Sequence, residues 1–165
     1  MCLVCYYGAE MEIDVLIDEG LEGVEVGWLR GVAEQVLAAL GMGTEVGLEL
    51  VIATEERVRQ LNRDYLERDE PTDVLAFSAR EEAGGDSPPF VSPPDGVLRL
   101  GEVIISYPQA VVQAKEYKHA VEREILILIV HGVLHLLGYK DDTPELEFTM
   151  RAREAMIMSH IGRLE

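Results

Sequence analysis

The chain has 165 residues, 48% of them hydrophobic, and a formal net charge of −17 from 31 acidic and 14 basic side chains. That length suits one domain with a real core, and its longest apolar run, 125–137, falls short of the roughly 20 residues that a membrane span needs. The acidic balance argues against a broad nucleic-acid-binding face, although net charge leaves room for a local basic patch.

The N-terminal stretch MCLVCYYGAEMEIDV lacks a basic leader and soon turns acidic, so a cytoplasmic protein without a secretory signal is expected. Residues 1–10 read as a flexible extension, and its Cys2 and Cys5 as reduced thiols of a frayed terminus. Alternation of apolar and polar residues over Met11–Ile17 predicts a first strand. Val24–Leu40 has the spacing of an amphipathic helix that stops at Gly41 and Gly43. Val46–Ala53 is a second strand, rich in branched residues. Thr54 with Glu55 and Glu56 caps a helix that ends before Pro71.

Thr72–Phe77 predicts a short third strand, and the Pro-, Gly- and Ser-rich segment 78–96 a long surface loop. Val97–Ser106 is a fourth strand. Helices follow from Pro108 through Lys118, from Ala120 to Leu137, and from Thr143 through about Ile161. The order βαβαββααα describes a single α/β domain spanning 1–165. Its four-stranded sheet is mixed and mostly parallel, with one antiparallel strand and about five helices.

The chemistry concentrates in His131-Gly-Val-Leu-His135-Leu-Leu-Gly138-Tyr139-Lys-Asp141-Asp142. Side chains at i and i+4 share a helix face one turn apart, and two imidazoles so placed can grip one metal ion. The apolar run Ile125–Val130 makes this helix central to the core, where two polar rings on one stripe need a shared partner. Gly138 lets the chain leave the helix through a left-handed turn, which can bring Asp141 back to the same ion. Glu124 lies on the same stripe as His131, either orienting a neighbour or pairing with Arg123 or a lysine. Arg57, Arg59, Arg63 and Arg68 form the one basic neighbourhood, and a helix would put Arg59 and Arg63 on one face.

Three segments carry a resemblance. They are Leu61-Asn62-x-x-Tyr65-x-x-Arg68-Asp69-x-Pro71-Thr72-Asp73-Val74-Leu75-Ala76-Phe77, then Leu100-Gly101-Glu102-Val103-Ile104-Ile105-Ser106, and the His131–Asp141 stretch. In order and spacing the chain resembles the YbeY family, the bacterial endoribonucleases of ribosomal RNA maturation. The resemblance implies a zincin-like α/β fold with one divalent ion, usually taken as zinc, held by three histidines in the pattern H-G-x-L-H-L-x-G-Y-D-H. It makes His131 and His135 ligands and puts the third at position 141. Asp141 stands there, with Asp142 as the alternative and Lys140 where the family usually has aspartate. A carboxylate binds zinc at about the same length as imidazole, roughly 2.0–2.2 Å.

The family usually carries an arginine after the aromatic at position 65, and this chain has Leu66. Arg68, two residues on, is the candidate to take over part of that catalytic role. Arg59, Arg63 and Arg68 are the candidates for holding phosphate, while Asn62, Thr72 and Asp73 are candidates for shaping the cleft. The implied partner is single-stranded ribosomal RNA, with no DNA and no membrane, and the acidic surface suits a basic ribosomal protein. Two other readings stand beside this one. A metalloprotease of the H-E-x-x-H kind is disfavoured, because Gly132 occupies the place of the glutamate base. A non-catalytic ribosome-assembly factor stabilised by its metal is the stronger alternative.

Overall fold

A computed structural model describes residues 11–67, 72–79 and 96–162. The N-terminal extension with Cys2 and Cys5, Arg68, and residues 80–95 of the expected loop lie outside the described residues. Among those described, the chain forms β1 (Glu12–Ile17), α1 (Val26–Ala39), β2 (Val46–Ala53), α2 (Glu55–Leu66) and β3 (Val74–Ser78). It continues through β4 (Leu98–Ser106), α3 (Tyr107–Glu116), α4 (Val121–Leu136) and α5 (Pro144–Gly162). The order and kinds of element are those the sequence predicts.

Helix starts follow local chemistry. Thr54 accepts a hydrogen bond from the Arg57 N–H at 3.3 Å and opens α2. Ser106 accepts from the Gln109 N–H at 3.4 Å and opens α3, with Pro108 in the first turn. Thr143 accepts from the Leu146 N–H at 3.2 Å and opens α5. Each cap satisfies a donor that has no partner within the helix. The expected third strand begins two residues late. The Asp73 carboxylate accepts from the Val74 N–H at 2.8 Å, and its carbonyl accepts from the Ser106 N–H. The ladder therefore starts at Val74, and Thr72 lies outside it.

The four strands run in the order β1-β2-β4-β3. β1 pairs with β2 and β2 with β4 in parallel, while β3 pairs antiparallel with β4. Period-two alternation splits the side chains between two faces. Leu48, Leu50, Ile52, Val103 and Ile105 join one large cluster with residues of α1, α4 and α5. Val51, Ala53, Leu75 and Ile104 face the other way, where Val58 and Leu61 of α2 cover them. Strands covered on both faces explain why VGLELVIA and EVIIS read as almost continuous apolar runs.

α4 is the central helix, with buried residues on most of its circumference. Gly132 is what lets it lie so close to β4, since a Cβ there would sit 2.6 Å from a Val103 methyl. The residue after the first histidine is thus set by packing, and a glutamate in that place would collide with the sheet.

Candidate metal centre

α4 carries His131 and His135 on one stripe, and their Nε2 atoms are 3.1 Å apart. The helix ends at Leu137, and the next two amides turn back on it. The Gly138 N–H donates to the His135 carbonyl at 3.1 Å, and the Tyr139 N–H to the Leu134 carbonyl at 3.0 Å. This paired arrangement is a Schellman turn, which needs a left-handed residue in its middle. Gly138 supplies it with φ of 99°.

The reversed chain brings Asp141 back over the helix end. Its Oδ2 lies 3.9 Å from His131 Nε2 and 3.8 Å from His135 Nε2. Among the described residues these three side chains form a group whose donor atoms lie within 4.8 Å of one another, and Asp142 is not part of it. The point equidistant from the three atoms is about 2.1 Å from each, inside the range of zinc–nitrogen and zinc–oxygen bonds. Two imidazoles and a carboxylate are also a donor set suited to zinc. The residues present therefore fit one divalent ion.

The far side of His131 is held as well. Its Nδ1 is 2.6 Å from Oε1 of Glu154 on α5. With Nδ1–H donating to that carboxylate, the lone pair of Nε2 is left facing His135 and Asp141. Burial pushes both imidazoles down from the usual histidine value. At His131 the Glu154 hydrogen bond and the charges of Glu154, Asp141 and Asp73 outweigh it, and the net direction is up. At His135 burial and the neighbouring His131 prevail over Asp141 and a hydrogen bond to the Tyr139 backbone, and the net direction is down.

Sequence reasoning missed Glu154. The available signal was periodicity: Met150, Ile157 and Ile161 are the buried stripe of α5, and position 154 falls on it. An acid on a core-facing stripe requires a partner. Glu124 was expected to orient a neighbour or to pair with Arg123 or a lysine, and its partner is a histidine outside α4. Glu124 is 3% exposed, and its Oε2 lies 2.6 Å from Nε2 of His119. The Schellman-type turn after α3 brings His119 back within its reach, a turn the predicted helix through Lys118 had no place for.

A cleft of about 590 Å³ adjoins the group, between α4, α5 and the end of α3. His131, Asp141, Glu154, Glu124 and Asp73 line it, as do Arg123 and Arg151. Asp73 is held by Gln113 Nε2 at 3.1 Å. Asn62 is buried under α2, and Thr72 is 3.5 Å from Asp73. Arg59 and Arg63 lie on the exposed face of α2 and are not among the residues lining the cleft. Arg63 is 3.9 Å from Asp64, and Arg57 is paired with Asp18. Leu66 is 48% exposed, in the last turn of α2.

Fold and site together define an α/β protein with a His-His-Asp centre at the carboxyl end of its central helix. Residues 24–162 match the family model described as Endoribonuclease YbeY. A protein of that name from Dehalococcoides mccartyi is 39% identical over 161 residues, covering 93% of this chain and 99% of the relative. Another from Chloroflexus aurantiacus is 43% identical over 153 residues, covering 91% and 95%. The solution structure of TM1509 from Thermotoga maritima shares the fold, with a TM-score of 0.52, 21% identity and 92% of each chain covered. This chain belongs to the YbeY family.

Proposed function

We propose that this protein is a zinc-dependent endoribonuclease specific for single strands, acting in the cytoplasm in ribosomal RNA maturation and ribosome quality control. The observation that carries the reading is the triangle of donor atoms from His131, His135 and Asp141, with sides of 3.1–3.9 Å, beside an open cleft. Family membership supplies the substrate class, because the relatives are named endoribonucleases.

Zinc held there supplies a Lewis acid and lowers the pKa of a bound water toward about 7. Glu154 keeps the His131 proton on Nδ1, so that Nε2 stays available as a ligand. Asp141 in place of a third histidine makes the centre one charge less positive than the family pattern. Gly132 offers no carboxylate beside the first histidine, which removes the base that a peptidase of this spacing uses. Arg59, Arg63 and Arg68 are the side chains that would steady the phosphates of the strand. The acidic surface favours a basic ribosomal protein as the partner that delivers the substrate.

One observation favours the alternative of a non-catalytic, metal-stabilised assembly factor: Leu66 is exposed where the family arginine would stand. Elemental analysis and a cleavage assay on a single-stranded RNA decide between the two. We expect about one zinc per chain and cleavage in the parent, with both lost in His135→Ala. Zinc without cleavage of single-stranded RNA would give the assembly role precedence, and a parent that takes up no zinc would overturn both readings.

A further inference from the structure

We infer that the cleft beside the metal centre contains a nucleotide subsite in which Tyr117 stacks one base of a single-stranded RNA and Arg123 holds a phosphate. The inference rests on the endoribonuclease reading and names side chains which that reading leaves unassigned.

Tyr117 follows the last turn of α3 and is 66% exposed, an unusual position for a large ring lining a cleft. One of its faces is occupied. His119 stacks on it with ring centroids 6.0 Å apart and planes inclined by 27°. His119 is itself fixed by the buried Glu124 at 2.6 Å, so the ring pair is a braced platform and not a loose side chain. A base presents a π-face of the same size and stacks on such a ring whatever its sequence. Ile127, Leu128 and Met150 also line the cleft and give it apolar surface. At about 590 Å³ the cleft is of ligand-pocket size.

Charge assigns the phosphate. The carboxylates of this cleft are mostly engaged within the protein: Glu147 by Arg151 at 2.6 Å, Asp73 by Gln113, and Glu124 and Glu154 by histidines. Arg123 is exposed in the first turn of α4 and forms no ion pair among the described residues. It is the cation that an incoming phosphate would meet without displacing a partner. An aromatic platform with an arginine in the same cleft matches a single-stranded strand better than a duplex, whose bases are already stacked.

The test uses the full-length, zinc-loaded protein and a short single-stranded oligoribonucleotide with 2-aminopurine replacing one base and 2′-O-methyl groups throughout. Binding to the parent should quench the fluorescent base. Tyr117→Ala should weaken binding roughly tenfold and abolish the quench, while Tyr117→Phe should retain both. Arg123→Gln should weaken binding and reduce the salt slope by about one phosphate contact. Zinc content should stay unchanged in all three variants. If the parent binds and cleaves RNA while Tyr117→Ala and Arg123→Gln behave like it, the subsite is wrong and the nuclease reading stands. If the parent neither binds nor cleaves single-stranded RNA, both fall together.

Discussion

Two helix ends build this cleft, and they solve the same problem with different residues. After α3 the His119 N–H donates to the Ala114 carbonyl at 3.0 Å, and the Lys118 N–H to the Lys115 carbonyl at 3.3 Å. After α4 the same pair of bonds joins Tyr139 to Leu134 and Gly138 to His135. Both are Schellman turns, and both return a side chain to the cleft: His119 in the first, Asp141 in the second. The middle residue of one is Lys118 with φ of 57°, and of the other Gly138 with φ of 99°. The first value is the left-handed minimum that an L residue reaches at some cost, while the second lies beyond it. Glycine is therefore dispensable in one turn and strongly favoured in the other.

What stabilises the two returns also differs. His119 is tied down by a buried carboxylate, whereas among the described residues Asp141 meets only the two imidazoles. The largest effect is expected at the first. Glu124→Ala removes the partner of a ring packed in the cleft and should cost about 2–3 kcal/mol in urea denaturation. Glu124→Gln keeps an acceptor and should recover part of that loss. Zinc content should not change in either, because Glu124 touches neither His131 nor His135. A fall in zinc content would show that the two ends of the cleft are coupled, and the comparison would fail.

Gly138→Ala probes the other end. A Cβ there meets nothing within 4 Å, so any effect is conformational and not steric. An alanine held at φ near 99° is strained by about 1–2 kcal/mol. The metal-free protein should lose that much stability. The zinc affinity should also fall, since relaxing the turn moves Asp141 off the His131–His135 axis. Unchanged affinity in a zinc titration would mean that the loop places Asp141 independently of the turn.

These differences also explain what could be read before folding. Gly138 announces its turn because glycine is the residue that such a φ demands, so the helix end and the return of Asp141 were legible. Lys118 announces nothing, since lysine is an ordinary helix residue, and the helix was expected to run through it. The partner of His119 was hidden for the same reason. Glu154 was hidden by distance, 23 residues from His131 on another helix, where only packing decides the pairing. Strand content followed from alternation, and the mixed sheet from the order of the elements. The arginines of α2 were the least legible, because their spacing fixes a helix face but not what that face looks toward. Among the described residues, none of these arginines lines the cleft.

The smallest expected effect is the most discriminating. Lys118→Gly removes the left-handed penalty of an L residue, about 1–2 kcal/mol, and adds backbone freedom to the unfolded chain worth about 0.4–1 kcal/mol. The first term wins, so the variant should be more stable by roughly 0.5–1 kcal/mol, a small upward shift of the urea midpoint. Lys118 is exposed, so no buried contact is lost with its side chain. The sign matters more than the size. A destabilised variant would mean that the lysine side chain holds the turn in place, and that the strain at this position is offset by a contact which backbone geometry does not reveal. A stabilised one would mean that the chain tolerates a strained residue beside its exposed tyrosine, the pattern expected where a turn is kept for what it presents and not for the stability it brings.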